Sequence, residues 1–187
     1  MKKLFVSLFA TVAVAVAAIA QPSVGAGFLM PMNKGLSDTQ LTGFYAGLNY
    51  NVRIAGPVGI APGVYFNYAT KTDNSINYKQ MGVAVPVMLN VGLKLGDSFV
   101  IRPYCGPTVA YGLKDEAAIG GVTGDMFAMD DYKHLNVMVG GGLAFEFDNM
   151  VRFEVGYDYG LYKIYESALN NSSLTRDQIH AGVAFIF

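Results

Sequence analysis

The chain has 187 residues, 13 of them basic and 14 acidic, and only 14% are charged while 52% are hydrophobic. This near-neutral balance excludes a strongly basic nucleic-acid binder, and a single Cys105 excludes any intramolecular disulfide framework. Charge is well below the usual quarter of a globular chain, yet no apolar run after residue 20 is long enough to span a membrane as a helix.

The first element is a leader. Lys2 and Lys3 precede an apolar run from Leu4 to Ala20, interrupted only by Ser7 and Thr11 and ending Ala18-Ile19-Ala20 before Gln21-Pro22. A basic start, an apolar stretch and an A-x-A site predict a secretory signal peptide over residues 1–20. Cleavage after Ala20 would leave residues 21–187 as one domain, with Lys2 and Lys3 lost from the 13 basic residues. An exported, apolar chain without spanning helices points to strands, and strands in a bilayer must close on themselves.

Eight stretches then alternate with period 2, as strands do. Val24 to Met32 places Val24, Ala26, Phe28, Met30 and Met32 on one face. After a polar loop, Gly43 to Ile54 sets Phe44, Ala46, Leu48, Tyr50, Val52 and Ile54 against Tyr45, Gly47, Asn49, Asn51 and Arg53. Ala55-Gly56-Pro57 turns the chain into Val58 to Tyr68, and a polar loop over Ala69 to Tyr78 follows. The fourth strand is apolar at every second position from Met81 to Leu95, with Lys94 on its other face. Gly96-Asp97-Ser98 leads into Phe99 to Leu113, where Pro103 and Pro107 predict a bulge or a broken ladder. An acidic loop, Lys114 to Lys133, precedes His134 to Phe147 and Met150 to Ile164, joined by an Asp148-Asn149 hairpin. Another polar loop leads to the last strand, ending at Phe187. The connections alternate long and short, the asymmetry of barrels with short periplasmic turns and longer external loops.

Alternation alone fits a soluble lipocalin-type barrel as well as a membrane barrel. The uniformly apolar face carries no charge over whole strands, as lipid contact demands, whereas a lipocalin would expose a charged outer face. The other face is rich in Gly and Ala with a few charges, which suits a narrow, packed interior. Phe44, Tyr68, Tyr111, Phe147, Tyr157, Tyr159, Phe185 and Phe187 cluster near strand ends, as interfacial girdles do, although the chain has no Trp. With its leader, eight strands and terminal Phe187, the chain resembles the small outer-membrane barrel families: OmpX, the OmpA transmembrane domain, opacity-type and other porin-like domains. That resemblance implies a closed eight-stranded antiparallel up-and-down transmembrane barrel in the bacterial outer membrane. It also implies that Ile179, Ala181, Val183, Phe185 and Phe187 form the signal read by the barrel-assembly machinery.

Function is less directly written. Arg53, Lys94, Arg102 and Arg152 face inward with Glu146, Glu154 and Asp158, near balance. Buried charges require partners, so these residues are expected to form an inward polar network, most of it near the short turns. The functional alternative for them is an ion or proton pathway. Lipid A deacylases and acyltransferases also use small barrels, with a His and a Ser near the rim. Here His180 precedes Ala181 and Gly182, His134 stands at a strand end, and no nucleophile, base and orienter come together in sequence. Asp125, Asp130 and Asp131 do not have EF-hand spacing, and Gly140-Gly141-Gly142 lie in a strand with no following helix, unlike a phosphate loop. No cofactor or metal site is expected. The reading is a non-enzymatic outer-membrane protein that meets lipid with its wall and an external partner with four loops. The alternatives are a narrow channel for small solutes, a soluble lipocalin-like carrier, and a lipid-modifying barrel enzyme.

Overall fold

A computed structural model describes residues 20–35, 39–73, 76–119, 122–128, 132–166 and 173–187. The expected leader lies outside them, except that Ala20 opens the first strand. Eight long strands follow in chain order: β1 (Ala20–Lys34), β2 (Thr42–Ala55), β3 (Val58–Asp73), β4 (Ile76–Val91), β5 (Phe99–Ile119), β6 (Leu135–Phe147), β7 (Val151–Gly160) and β8 (Ser173–Ile186). Each pairs antiparallel with its neighbours in sequence, and β8 returns to β1 over a register running from Ser23↔Ile186 to Lys34↔Thr175. The sheet is a closed up-and-down barrel, so no backbone edge is left for the bilayer to solvate.

The period-2 pattern puts the apolar face outside. Val24, Phe28, Leu48, Val64, Val85, Leu89, Val109, Val139, Leu143 and Val155 are all exposed on the outer wall. Their in-line neighbours Ser23, Asn49, Asn90, Thr108 and Ala144 are buried in the lumen, as is Glu146 two positions on. This polarity, polar inside and apolar outside, is that of a membrane barrel and the inverse of a lipocalin. Phenylalanines edge the wall at the short turns, where Phe99 and Phe147 lie 4.9 Å apart and Phe147 and Phe153 6.0 Å apart between ring centres. Tyr111, Tyr157 and Tyr159 hold the opposite edge, with Phe44 against Tyr68 at 5.4 Å.

Turn chemistry fixes the short side. Gly56 and Gly96 have φ of 53° and 81°, and Asp148 and Asn149 have φ of 50° and 53°. Asp and Asn tolerate this left-handed region better than other residues with a Cβ, and the Met150 amide donates to Phe147 O at 3.0 Å to close the turn. The ladder between β4 and β5 lapses between Pro86↔Thr108 and Leu89↔Cys105, the stretch holding Pro107. Bulges proper lie elsewhere, at Arg53/Ala55 and Met81/Gly82. Two expected loops are largely strand. β3 and β4 remain paired out to Asp73↔Ile76, and β5 runs to Ile119 with Val122–Asp125 pairing back on it. Beyond the bilayer both faces of a hairpin meet water, so the polar residues there do not end the ladder.

Candidate functional site: a polar lumen and its outer mouth

Register explains what fills the lumen. Near the short turns, Glu146 accepts from Arg102 through Nε at 3.0 Å and Nη2 at 2.7 Å, and from Arg152 Nε at 2.7 Å. Arg102 Nη1 also donates to Asn90 Oδ1 at 3.0 Å, and Asn90 Nδ2 to Asn51 Oδ1 at 3.0 Å. The Glu146 side chain is 1% exposed and that of Arg152 6%. One carboxylate between two guanidiniums is the arrangement that lets such charges remain buried.

Above this base, two tyrosines reach across pairs of strands. Tyr45 on β2 is level with Gly27 on β1, which is level with Gly182 on β8 and then Glu154 on β7. The missing side chains of the two glycines let the ring lie over them, and Tyr45 Oη donates to Glu154 Oε1 at 2.7 Å. Tyr104 on β5 is likewise level with Gly142 on β6, Gly156 on β7 and His180 on β8. Its hydroxyl lies 3.0 Å from His180 Nε2, and a Cβ at Gly142 or Gly156 would stand 2.6 Å from that oxygen. His180 Nδ1 faces Asp158 Oδ2 at 3.4 Å, and Gln178 Nε2 donates to the same oxygen at 2.8 Å.

A second cluster closes the long-loop end. Arg176 Nη2 donates to Asp115 Oδ2 and to Tyr132 Oη, both at 2.9 Å, while its Nε reaches Asn33 Oδ1 at 2.7 Å. Tyr132 in turn donates to Asp115 at 2.7 Å and packs with Ile164 and Leu174. Met126, Phe127 and Tyr165 pack against that small core, so loop residues roof the mouth. On the outer wall, Asp177 is fully covered by Lys34, at 2.5 Å, and by the Tyr157 hydroxyl, while Gly160 N donates to it at 2.9 Å.

With the inverted wall, the closed sheet and this lumen described, one comparison decides identity. A family model for the outer membrane protein beta-barrel domain matches residues 4–187. The chain belongs to that family. It is an integral β-barrel protein of the bacterial outer membrane. This outer-membrane barrel is similar in fold to Neisserial surface protein A, at TM-score 0.57 and 16% identity over 89% of this chain and 97% of that one. It is also similar to Ail, the attachment invasion locus protein of Yersinia pestis, at TM-score 0.55 and 13% identity over 90% of this chain and 99% of that one. The outer membrane enzyme PagL is matched at TM-score 0.48 and 12% identity, over 87% of this chain and 97% of that one. No curated protein matches the chain.

Of the expected inward network in this barrel, the structure brings together Arg102, Glu146 and Arg152 at the base. Glu154 and Asp158 lie higher, each on its own hydrogen bond. Arg53 and Lys94 do not join. Both are exposed at the short turns, Arg53 beside the β2 bulge and Lys94 past the end of β4, where the inner face already meets water. Sequence spacing gave no sign of Tyr45, Tyr104, His180, Arg176 or Asp115 as lumen partners, because each contact depends on register between distant strands. His134 is exposed at the rim as expected, but its ring is held against Phe127 at 3.8 Å and Tyr111 at 5.2 Å, with Nδ1 2.9 Å from Gly112 O. Asp125 accepts from the Phe127 amide at 3.0 Å, while Asp130 and Asp131 lie outside the described residues. The Asp158–His180–Tyr104 chain has the connectivity of a proton relay, but it ends on a phenol set over two glycines. No serine or cysteine is bonded to it among the described residues.

Proposed function

We propose that this outer-membrane barrel is a non-enzymatic surface protein that engages an external partner through its long-loop side. The observation that carries this reading is the unequal build of the two ends. The short side consists of tight turns, whereas the long side has a packed roof of Tyr132, Ile164 and Leu174, tied to β5 and β8 through Asp115 and Arg176. A roof with its own core presents a defined surface, which a solvated loop does not. The ion-paired base supports a filled interior over a conducting one.

Export through a leader cleaved after Ala20 belongs to the same proposal. So does recognition by the barrel-assembly machinery through Ile179, Ala181, Val183, Phe185 and Phe187, a reading supported by their shared outward face on β8 and its end. Cells displaying the protein should bind immobilised extracellular glycans or matrix proteins, and lose that binding when residues 122–128 and 161–166 are exchanged for plain hairpins. Undiminished binding after the exchange would sink the loop reading. Regular conductance steps in planar bilayers would replace it with the channel, and a protein-dependent change in lipid A mass would replace it with the enzyme.

A further inference from the structure

We propose that the barrel wall opens sideways along a proline seam running from β2 to β5, and that the lumen cavity behind the seam receives the apolar end of an acyl chain from the bilayer.

The ladder lapses in the middle of the wall at successive strand pairs. Between β2 and β3 it stops at Asn49↔Gly63 and resumes at Val52↔Ile60. Between β3 and β4 it stops at Pro62↔Val87 and resumes at Tyr65↔Ala84. Between β4 and β5 it stops at Pro86↔Thr108 and resumes at Leu89↔Cys105. The skipped residues include Pro62, Pro86 and Pro107 in turn, and proline has no N–H to give to a ladder. The pairings β1–β2, β5–β6, β6–β7, β7–β8 and β8–β1 carry no such lapse among the described residues. On β4, Val85 and Pro86 are therefore paired only with β5, and Val87 and Met88 only with β3. No water in the bilayer core replaces a missing ladder bond, so this stretch is where the wall parts most readily.

Directly behind the seam lies a lumen cavity of about 90 Å³. The inward side chains of the lapses line it: Asn51 and Ala61 from the first, Pro86 from the second and Met88 from the third, with Ala84 beside them. Its seam side is thus mostly apolar. Tyr132, Ile164 and Leu174 roof the lumen above, and Arg102, Glu146 and Arg152 fill its base, which leaves the seam as the way in. Outside the seam, Val64, Val85 and Val87 are exposed on the lipid-facing wall. Depth names the occupant. Val87 and Met88 stand at the middle of the apolar alternation over residues 81–95, hence near the bilayer centre, where acyl chains end. A cavity of about 150 Å³ takes a six-carbon ring, so the present one suits the last few carbons of a chain whose headgroup stays at the interface.

The test is NMR of the methyl-labelled protein in nanodiscs of a saturated phosphatidylcholine, reading cross-relaxation from the terminal methyls of the lipid chains. Cross-peaks are expected at the outward Val85, and also at the lumen-facing Ala84 and Met88. Met138, buried on β6 away from the seam, should show none. Restoring two ladder donors with Pro62→Val and Pro107→Val should abolish the Ala84 and Met88 cross-peaks and keep those of Val85. A wild-type lumen without cross-peaks at Ala84 and Met88 would overturn the proposal. So would cross-peaks equally strong at Met138, or ones that persist in the double variant. Should that variant not fold, as judged by mobility in SDS before and after heating, Pro107→Val alone decides. It should weaken the lumen cross-peaks about fivefold, the equivalent of one restored hydrogen bond, and undiminished cross-peaks refute the seam.

Discussion

Glu146 holds two arginines on one carboxylate, and the consequence of removing it follows from that count. In Glu146→Ala, the buried Arg152 and the largely buried Arg102 lose their only acidic partner among the described residues. Breaking a buried ion pair from one side costs about 3–5 kcal/mol, and urea unfolding in detergent should show a loss of that order. Neutralising Arg53 or Lys94, both exposed at the short turns, should stay within about 0.5 kcal/mol. Equal effects from the buried and exposed sets would mean that the base of the lumen is not held as described. The inward direction of Arg102, Arg152, Glu146, Glu154 and Asp158 was readable from alternation alone. Their partners were not. Arg102 meets Glu146 rather than Glu154 because of strand register and side-chain reach, and neither is visible in a single strand's pattern.

The strand pairs carry a different lesson. Mixed-face glycines such as Gly142, Gly156 and Gly182 read in sequence only as small residues suited to packing. In register they align two strands wide, and each aligned pair seats one tyrosine. Gly156→Val would drive a side chain into the space of the Tyr104 hydroxyl and the His180 ring, each 2.6 Å from the added Cβ, and overpacking of this kind costs about 1–3 kcal/mol. The loss should shrink when Tyr104→Ala is introduced in the same chain, and a double-mutant cycle measures that coupling. Purely additive losses would place the damage in the strand backbone instead. At the β6–β7 turn, Asn149 sits at φ 53°. Asn149→Val should destabilise by about 1–2 kcal/mol while Asn149→Gly should not, a contrast that thermal unfolding can read. The hairpin itself was plain from Asp148-Asn149. The extensions of β3 and β5 beyond the bilayer were hidden because polar residues such as Lys71 and Lys114 resemble loop when water is on both sides.

For the molecule as a whole, the apolar wall is what makes this chain a membrane protein, and a charge placed on it reports its depth. Val85→Arg, at an exposed position on β4 away from the strand ends, should destabilise the barrel in lipid by about 2–4 kcal/mol. The architecture was legible at this scale: strand count, the alternation of long and short connections, and which face is apolar all follow from period 2 and turn residues. The lumen contents and the roof over the mouth were not, since both assemble residues far apart in the chain. The chain also supplies its own probe of orientation, because Cys105 is its single cysteine and is exposed on the outer wall. A spin label on Cys105 in bilayers should be relaxed by oxygen, which partitions into lipid, and shielded from a water-soluble nickel chelate. The opposite accessibility would put that face of β5 in water and contradict a barrel whose apolar face meets the membrane.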